Sequence, residues 1–144
     1  MWNKLNSIKK IYLNITQIQE IVNNDLSKVN DIIIKNIGNE VPMISELSQH
    51  ILASGGKRIR PIITLLTSKL CNYKDENHLF LAACIEFIHT ATLLHDDVID
   101  ESKLRRGVAT ANDLFGNKTS VLVGDFLFSR SFELMVANGS KKIL

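Results

Sequence analysis

Two aspartates four positions apart, Asp96 and Asp100, are the residues of this sequence best suited to chemistry. In a helix this spacing places both carboxylates on one face, one turn apart, where they repel each other in the absence of a cation. Mg²⁺ takes one or two protein carboxylates and leaves its other positions to water and phosphate oxygens. The pair therefore predicts Mg²⁺ bound together with a phosphate ligand, with Asp97 as a further candidate ligand. A solvated acidic helix end is the alternative.

A second candidate site is the basic, glycine-rich segment from Gly55 to Pro61. The glycines let the backbone approach a ligand closely, and Pro61 predicts the start of a helix. The unpaired N–H groups and positive dipole at a helix N-terminus would add to the charges of Lys57 and Arg60. The segment predicts an anion site, and a solvated basic turn is the alternative.

Arg105 and Arg106 follow Asp100 by five and six residues. Arginine offers forked donors that suit a diphosphate, although these two residues could also simply cap the acidic helix. His89 lies two turns before Asp96 on the same face and could donate a hydrogen bond to a bound anion. The alternative for His89 is a satisfied core histidine.

Apolar residues at spacings of three and four predict an all-α protein without strands. The first predicted helix, residues 8–37, is either one long amphipathic helix or two helices broken near Asn23-Asn24. Gly107 is expected to close the helix that carries the acid pair, and a short segment from Ala109 to Phe115 leads to the last helix. The remaining predicted helices are residues 43–52, a helix from Pro61, 78–100 and 119–137.

Composition fits a single domain of 144 residues, with 45% hydrophobic and 22% charged residues. The net charge of +2 is too small to indicate a nucleic-acid partner. Cys71 and Cys84 have no CxxC partner, so we expect neither a disulfide framework nor a zinc site, and we expect both in the core of a cytoplasmic protein without a signal peptide. The apolar stretch from Leu79 to Leu94 is shorter than the roughly 18–20 residues of a membrane span and predicts a buried helix.

The three motifs, followed by Val121-Leu122-Val123-Gly124-Asp125, resemble in order and spacing the trans-polyprenyl diphosphate synthases. The resemblance runs from about Leu47 to Ala137 and is strongest to the long-chain bacterial type that makes octaprenyl diphosphate. It implies the N-terminal part of an isoprenoid-synthase-type helical bundle. In that bundle residues 1–144 form one domain, with an N-terminal helix in residues 1–40 and the motif-bearing helices in residues 45–138.

The resemblance also implies an activity, which is the condensation of isopentenyl diphosphate with an allylic diphosphate by a homodimer. Asp96 and Asp100 would hold Mg²⁺, and Arg105 would contact the allylic diphosphate. Small residues one turn before the acidic motif, here Ala91 and Thr92, imply a long product. The residues that would hold isopentenyl diphosphate are Lys57, Arg60, His89 and Arg106, and the catalytic set would be Asp96, Asp100, Lys57 and Arg105.

One departure from the family limits these expectations, because the family has a second aspartate-rich motif downstream and this chain ends before it. The chain is therefore expected to be an N-terminal portion, and a non-catalytic subunit or inactive remnant is an alternative. A second alternative is a metal phosphohydrolase of the HD type, built on His95-Asp96 with His50 and Asp125. That hypothesis leaves both basic segments unexplained, and the role of Asp125 stays open.

Overall fold

The computed structural model describes residues 14–38, 42–53 and 56–139. Apart from one short pair of strands, these residues form helices and connecting turns, which confirms the all-α prediction. In chain order the elements are α1 (Ile15–Ile37), α2 (Pro42–Ala53), α3 (Ile59–Leu70), α4 (Asn77–Ile99), β1 (Leu104–Arg105), β2 (Val108–Ala109), α5 (Ala111–Phe115) and α6 (Asn117–Asn138).

Helix α1 begins with a capping box. The Asn14 side chain accepts a hydrogen bond from the Gln17 amide, and the Gln17 side chain accepts one from the Asn14 amide, so two first-turn donors are satisfied. The helix continues through Asn23-Asn24, so the single-helix alternative is correct for residues 15–37. The predicted start at Ile8 lies outside the described residues. Of the apolar residues at these spacings, α1 buries Val22, Val29 and Ile33, whereas Ile15 is exposed, and the helix also buries Ile37.

Helix α4 is the central element of the core and packs against α6, α3 and α1. Among the described residues it is the one helix long and apolar enough to cross a membrane, but core helices of soluble proteins pass the same test. Its buried side chains include Leu79, Ala82, Phe87, Ala91 and Leu94. Each large apolar side chain buried in this way contributes about 1.5–3 kcal/mol.

The two cysteines are free but differ in burial. Cys84 lies in the core on α4 and donates to the Ser131 carbonyl at 3.3 Å, and burial raises the pKa of its thiol to about 11. Cys71 is exposed, so its predicted core position is wrong. It caps the C-terminal end of α3, beyond the face that this helix buries.

Two helix ends differ from the prediction. Helix α3 begins at Ile59, so Pro61 is its third residue, where the missing N–H group costs no intrahelical hydrogen bond. Helix α4 ends at Ile99 and does not extend to Gly107. The amides of Glu101 and Ser102 turn back to the carbonyls of Val98 and Asp97, and Glu101 takes the left-handed conformation that closes such a Schellman motif.

The segment after α4 forms a β-hairpin that the sequence did not reveal. Leu104 pairs with Ala109 and Arg105 with Val108, and the two-residue loop between the strands has positive φ at both Arg106 and Gly107, the pattern of a type I′ turn. Arg105 and Arg106 therefore lie in the hairpin, beyond the end of α4. Helical periodicity could not find strands of only two residues.

Several large apolar side chains remain exposed on α4 and α6. Ile99 on α4 is 78% exposed, and Phe132 on α6 is 50% exposed. The other exposed apolar residues of these two helices are Ile85, Val121, Leu122, Phe128 and Val136. This surface is available for packing against further protein.

Candidate diphosphate site

A cavity of about 640 Å³ lies between α4, the segment before α3 and the β-hairpin. Its walls bring together residues that are far apart in the sequence. The cavity is lined by all five residues predicted to bind substrate, which are Lys57, Arg60, His89, Arg105 and Arg106. A concave site with this concentration of cations is suited to a multiply charged anion.

The segment before α3 is held from two sides. The Gln19 side chain of α1 donates to the Lys57 carbonyl at 3.3 Å, and Arg58 forms an ion pair with Glu86 of α4 at 2.5 Å. Sequence reasoning assigned no role to Arg58 or Glu86. Glu86 could have indicated a buried ion pair, because a carboxylate within an apolar helix needs a partner.

The two basic segments meet at Gly56. A Cβ atom at this position would lie 3.3 Å from Nη1 of Arg106, which is tighter than ordinary packing. The absence of a side chain therefore allows the hairpin to approach the segment before α3. Of the predicted motif, Gly55 lies outside the described residues.

Arg105 forms a forked pair with Asp97. Its Nε donates to both carboxylate oxygens at 2.9 and 3.1 Å, and its Nη2 donates to Oδ1 at 2.7 Å. These hydrogen bonds raise the pKa of Arg105, and the charges of Asp97, Asp96 and Asp100 act in the same direction against the effect of burial. Asp97 is buried, at 5% exposure, and Arg105 is the ion-pair partner of its carboxylate.

Asp96 and Asp100 are both exposed and do not line the cavity. Within the described residues neither side chain makes an ion pair, although both lie at the C-terminal end of α4, where the helix dipole disfavours negative charge. No described group of three or more His, Cys, Asp or Glu residues is placed to hold a metal ion. The two carboxylates still fit Mg²⁺, which needs only one or two when phosphate oxygens and water complete its shell.

His89 lies half-buried on α4 and faces the cavity. Burial lowers the pKa of its imidazole, and the charges of Arg60, Arg106 and Arg105 lower it further, while Glu86 opposes them. The imidazole is therefore neutral at pH 7 and retains one donor and one acceptor nitrogen.

The two residues predicted to limit product length differ in exposure. Ala91 is fully buried, whereas Thr92 is exposed and lies one turn before Asp96. The Thr92 hydroxyl donates to the His89 carbonyl at 2.8 Å. The small side chain of Thr92 thus lies on the same helix face as the acid pair.

His95 and Asp125 meet at the contact between α4 and α6. Nε2 of His95 lies 3.5 Å from Asp125 Oδ1 and 3.2 Å from the Val121 carbonyl. A Cβ atom at Gly124 would overlap the His95 ring, so the glycine makes room for it. His50 instead contacts the Ala109 carbonyl at 2.9 Å and lines the cavity. The hydrolase hypothesis therefore gains no support from the geometry.

Comparison with known proteins places the chain in a family. Its residues 41–144 match the Polyprenyl synthetase family, and the chain belongs to this family. It is 49% identical over 132 residues to octaprenyl diphosphate synthase of Escherichia coli (strain K12), an alignment that covers 92% of this chain and 41% of that protein. The predicted resemblance is confirmed, and the chain spans about two fifths of the length of this relative.

Solved structures support the same assignment. The chain resembles a decaprenyl diphosphate synthase from Rhodobacter capsulatus with a TM-score of 0.87 and 47% identity, covering 90% of this chain and 40% of that one. It also resembles a polyprenyl synthase from Caulobacter crescentus CB15 complexed with calcium and isoprenyl diphosphate, with a TM-score of 0.86, 45% identity and coverage of 90% and 39%. The isoprenoid-synthase bundle predicted from the sequence is thereby confirmed.

Proposed function

We propose that this chain supplies the isopentenyl diphosphate site and the first metal-binding motif of a prenyltransferase that makes a long-chain polyprenyl diphosphate. The observation that carries the proposal is the cavity in which Lys57, Arg60, His89, Arg105 and Arg106 converge. Family membership and the long-chain synthases among the relatives support the same activity.

Lys57 and Arg60 are the residues best placed to bind the diphosphate of isopentenyl diphosphate. Within the described part of the chain, neither cationic group is engaged in an ion pair, whereas Arg58 and Arg105 are neutralised by Glu86 and Asp97. The cavity therefore keeps positive charge for a ligand. We assign Arg106, at the tip of the hairpin, and the neutral His89 as further donors to the same diphosphate.

Asp96 and Asp100 would hold Mg²⁺ against the allylic diphosphate. When bound, the ion would stabilise the negative charge that develops on the departing diphosphate. Arg105 lies within electrostatic reach of Asp96, Asp97 and Asp100 and also lines the cavity. This position between the acid pair and the cavity supports its proposed contact with the allylic diphosphate.

Three further properties follow from the same proposal. The small side chain of Thr92, exposed one turn before Asp96, leaves room for a growing chain and supports a long product. Exposed apolar residues of α6, which include Leu122, Phe128, Phe132 and Val136, support self-association as a homodimer. We also propose a cytoplasmic location for the chain.

The test is incorporation of labelled isopentenyl diphosphate into farnesyl diphosphate by the purified chain in the presence of Mg²⁺. Elongation that disappears in Asp96→Asn would establish that the chain is catalytic, and product length would define the subfamily. A folded chain that binds inorganic pyrophosphate in isothermal calorimetry but does not elongate would disprove catalysis by this chain.

The second candidate function is a non-catalytic subunit. It is favoured by one observation, which is that the acid pair Asp96 and Asp100 lies outside the lining of the cavity in which the cationic residues converge. This function predicts retained pyrophosphate binding without prenyl transfer. The calorimetric and incorporation experiments together distinguish it from the catalytic one.

A further inference from the structure

Arg58 lies between two residues assigned to the ligand, Lys57 and Arg60, yet its own side chain turns to α4. Its Nη1 contacts Oε1 of Glu86 at 2.5 Å, and the exposed fractions of the two side chains are 19% and 11%. Both charges are thus largely removed from water. A buried carboxylate and a buried guanidinium require each other, because either one left alone would be a charge without solvation.

The backbone of Arg58 gives an independent indication that its side chain matters. Arg58 has φ 49° and ψ 34°, the left-handed conformation that glycine adopts without steric cost and other residues disfavour. It occupies the N-cap of α3 without making a side-chain capping hydrogen bond. Neither the conformation nor the cap calls for arginine, so the contact with Glu86 is what arginine adds at this position.

The pair ties the binding segment to the floor of the cavity. Gln19 of α1 holds the Lys57 carbonyl, and Glu86 of α4 holds the next residue, so the segment is fixed from two helices. Lys57 and Arg60 then project from a segment whose position is set before a ligand arrives. Pairing also cancels the charge of Glu86, which lines the cavity and would otherwise repel an anion.

We propose that Arg58 and Glu86 form a positioning pair that holds Lys57 and Arg60 in place for diphosphate binding and that Arg58 is not itself a ligand. This inference rests on the proposed function, which assigns diphosphate to the cavity. It predicts that loss of an acidic residue from an anion site weakens anion binding. Simple electrostatics predicts the opposite.

The experiment measures the affinity of the full chain for inorganic pyrophosphate by isothermal calorimetry, for Glu86→Gln and Arg58→Gly. Glycine tolerates the left-handed backbone, so Arg58→Gly removes the ion pair while relieving strain. Because small displacements within a site can cost up to about 10²-fold, we expect each variant to weaken binding on the order of tenfold. If Arg58 were a ligand, Glu86→Gln would free it and tighten binding, which would overturn the proposal.

The double variant and a matched control sharpen the result. If both residues act through one contact, the double variant binds no more weakly than either single variant. Glu76→Gln removes the exposed ion pair with Lys28, whose two residues do not line the cavity, and should leave pyrophosphate binding unchanged. Lower thermal stability with unchanged affinity of the folded fraction would make the pair merely structural and overturn the proposal.

A second readout does not depend on the ligand. Hydrogen exchange of a peptide covering residues 56–62 should accelerate in Glu86→Gln and Arg58→Gly but not in Glu76→Gln. If the wild-type chain fails to bind pyrophosphate, the proposed function fails for this chain, whereas exchange still tests the positioning. An unchanged rate of hydrogen exchange in both variants would overturn the positioning role of Arg58 and Glu86.

Discussion

Helix α4 and its C-terminal cap carry two kinds of carboxylate, and their environments differ sharply. Glu86 and Asp97 are buried, at 9% and 5% exposure, and each forms an ion pair with an arginine from outside the helix. Asp96 and Asp100 are exposed, and neither has an ion-pair partner within the part of the chain that the structure describes. The paired acids fix the two basic segments, whereas the exposed acids remain available to a cation.

Helix geometry gives the two paired acids a common direction. Each residue advances the helix by about 100°, so Glu86 and Asp97, eleven residues apart, lie within about 20° of each other. Both therefore face the cavity, where one holds Arg58 and the other holds Arg105. Asp96 is about 100° away from its neighbour Asp97. A shift of one residue thus separates a positioning carboxylate from a candidate metal ligand.

The largest expected effect is on stability, from Asp97→Asn. This variant keeps the size of the side chain but leaves Arg105 without its anion, and buried charge pairs lose several kcal/mol when broken. Because the Arg105 side chain is 36% exposed and can reach water, we expect a smaller loss of about 2 kcal/mol in the free energy of unfolding. Urea denaturation measures it.

Asp100→Asn is the matched control, because it makes the same chemical change at an exposed acid. It should alter the unfolding free energy by no more than about 0.5 kcal/mol. Relief of charge at the negative end of the α4 dipole should make the change slightly stabilising. Equal destabilisation by both variants would remove the distinction between the two kinds of carboxylate.

Much of this organisation could be predicted from the sequence because it rests on periodicity. The spacing of Asp96 and Asp100 defined a shared face, and the apolar spacing in α1 included Val22, Val29 and Ile33, which the helix buries. The grouping of Lys57, Arg60, His89, Arg105 and Arg106 followed from the family resemblance. The structure brings these five residues to one cavity, while their roles remain predictions.

The hairpin and the buried ion pairs could not be predicted, because they depend on contacts that periodicity does not encode. The hairpin arises from positive φ at Arg106 and Gly107, and arginine is not among the residues that favour such turns. The pairs of Arg58 with Glu86 and of Arg105 with Asp97 join different elements. Their existence could have been suspected from Glu86 in an apolar helix, but the choice of partner required the fold.

The second prediction concerns metal binding at the exposed pair. Asp96→Asn and Asp100→Asn should each reduce the enhancement of pyrophosphate affinity by Mg²⁺ on the order of tenfold, or about 1.4 kcal/mol. The physical reason is that each variant removes one of two carboxylate ligands. Calorimetric titrations with and without Mg²⁺ measure the effect, and pyrophosphate binding without Mg²⁺ should change little.

A variant of a neighbouring acid tests whether the Mg²⁺ enhancement depends on Asp96 and Asp100 or on the total charge at the end of α4. Glu101→Gln removes an exposed charge next to Asp100 and should leave the Mg²⁺ enhancement intact. If Glu101→Gln and Asp96→Asn reduced the Mg²⁺ enhancement equally, the enhancement would depend only on the net charge at the end of α4. The assignment of Asp96 and Asp100 as ligands would then be wrong.

The third prediction separates the α6 side of α4 from its cavity side. Gly124→Ala places a methyl group against the His95 ring and should cost about 1 kcal/mol of stability, at the low end for overpacking because the imidazole can rotate. Thermal or urea unfolding measures the cost. In a His95→Ala background the cost should vanish, since the overlapping ring is gone. Pyrophosphate affinity should stay unchanged, and a loss would mean that the two sides of α4 are coupled.

The smallest expected effect is the pH dependence set by His89. Burial and the charges of Arg60, Arg106 and Arg105 lower its pKa, so below the ordinary value of 6.5 the unfolded chain binds a proton that the folded chain does not. The free energy of unfolding should therefore fall as the pH drops from 6.5 toward the lowered pKa and be unaffected by His89 at higher pH.

NMR titration of the His89 ring measures this pKa directly. Arg60→Gln removes the largest charge effect and should raise it, whereas Lys28→Gln, which alters an exposed residue outside the cavity lining, should not. Bound pyrophosphate should raise the pKa more strongly, because an anion beside the imidazole favours its protonated form. A pKa that does not respond to pyrophosphate would place the anion away from His89 and exclude this residue from the proposed site.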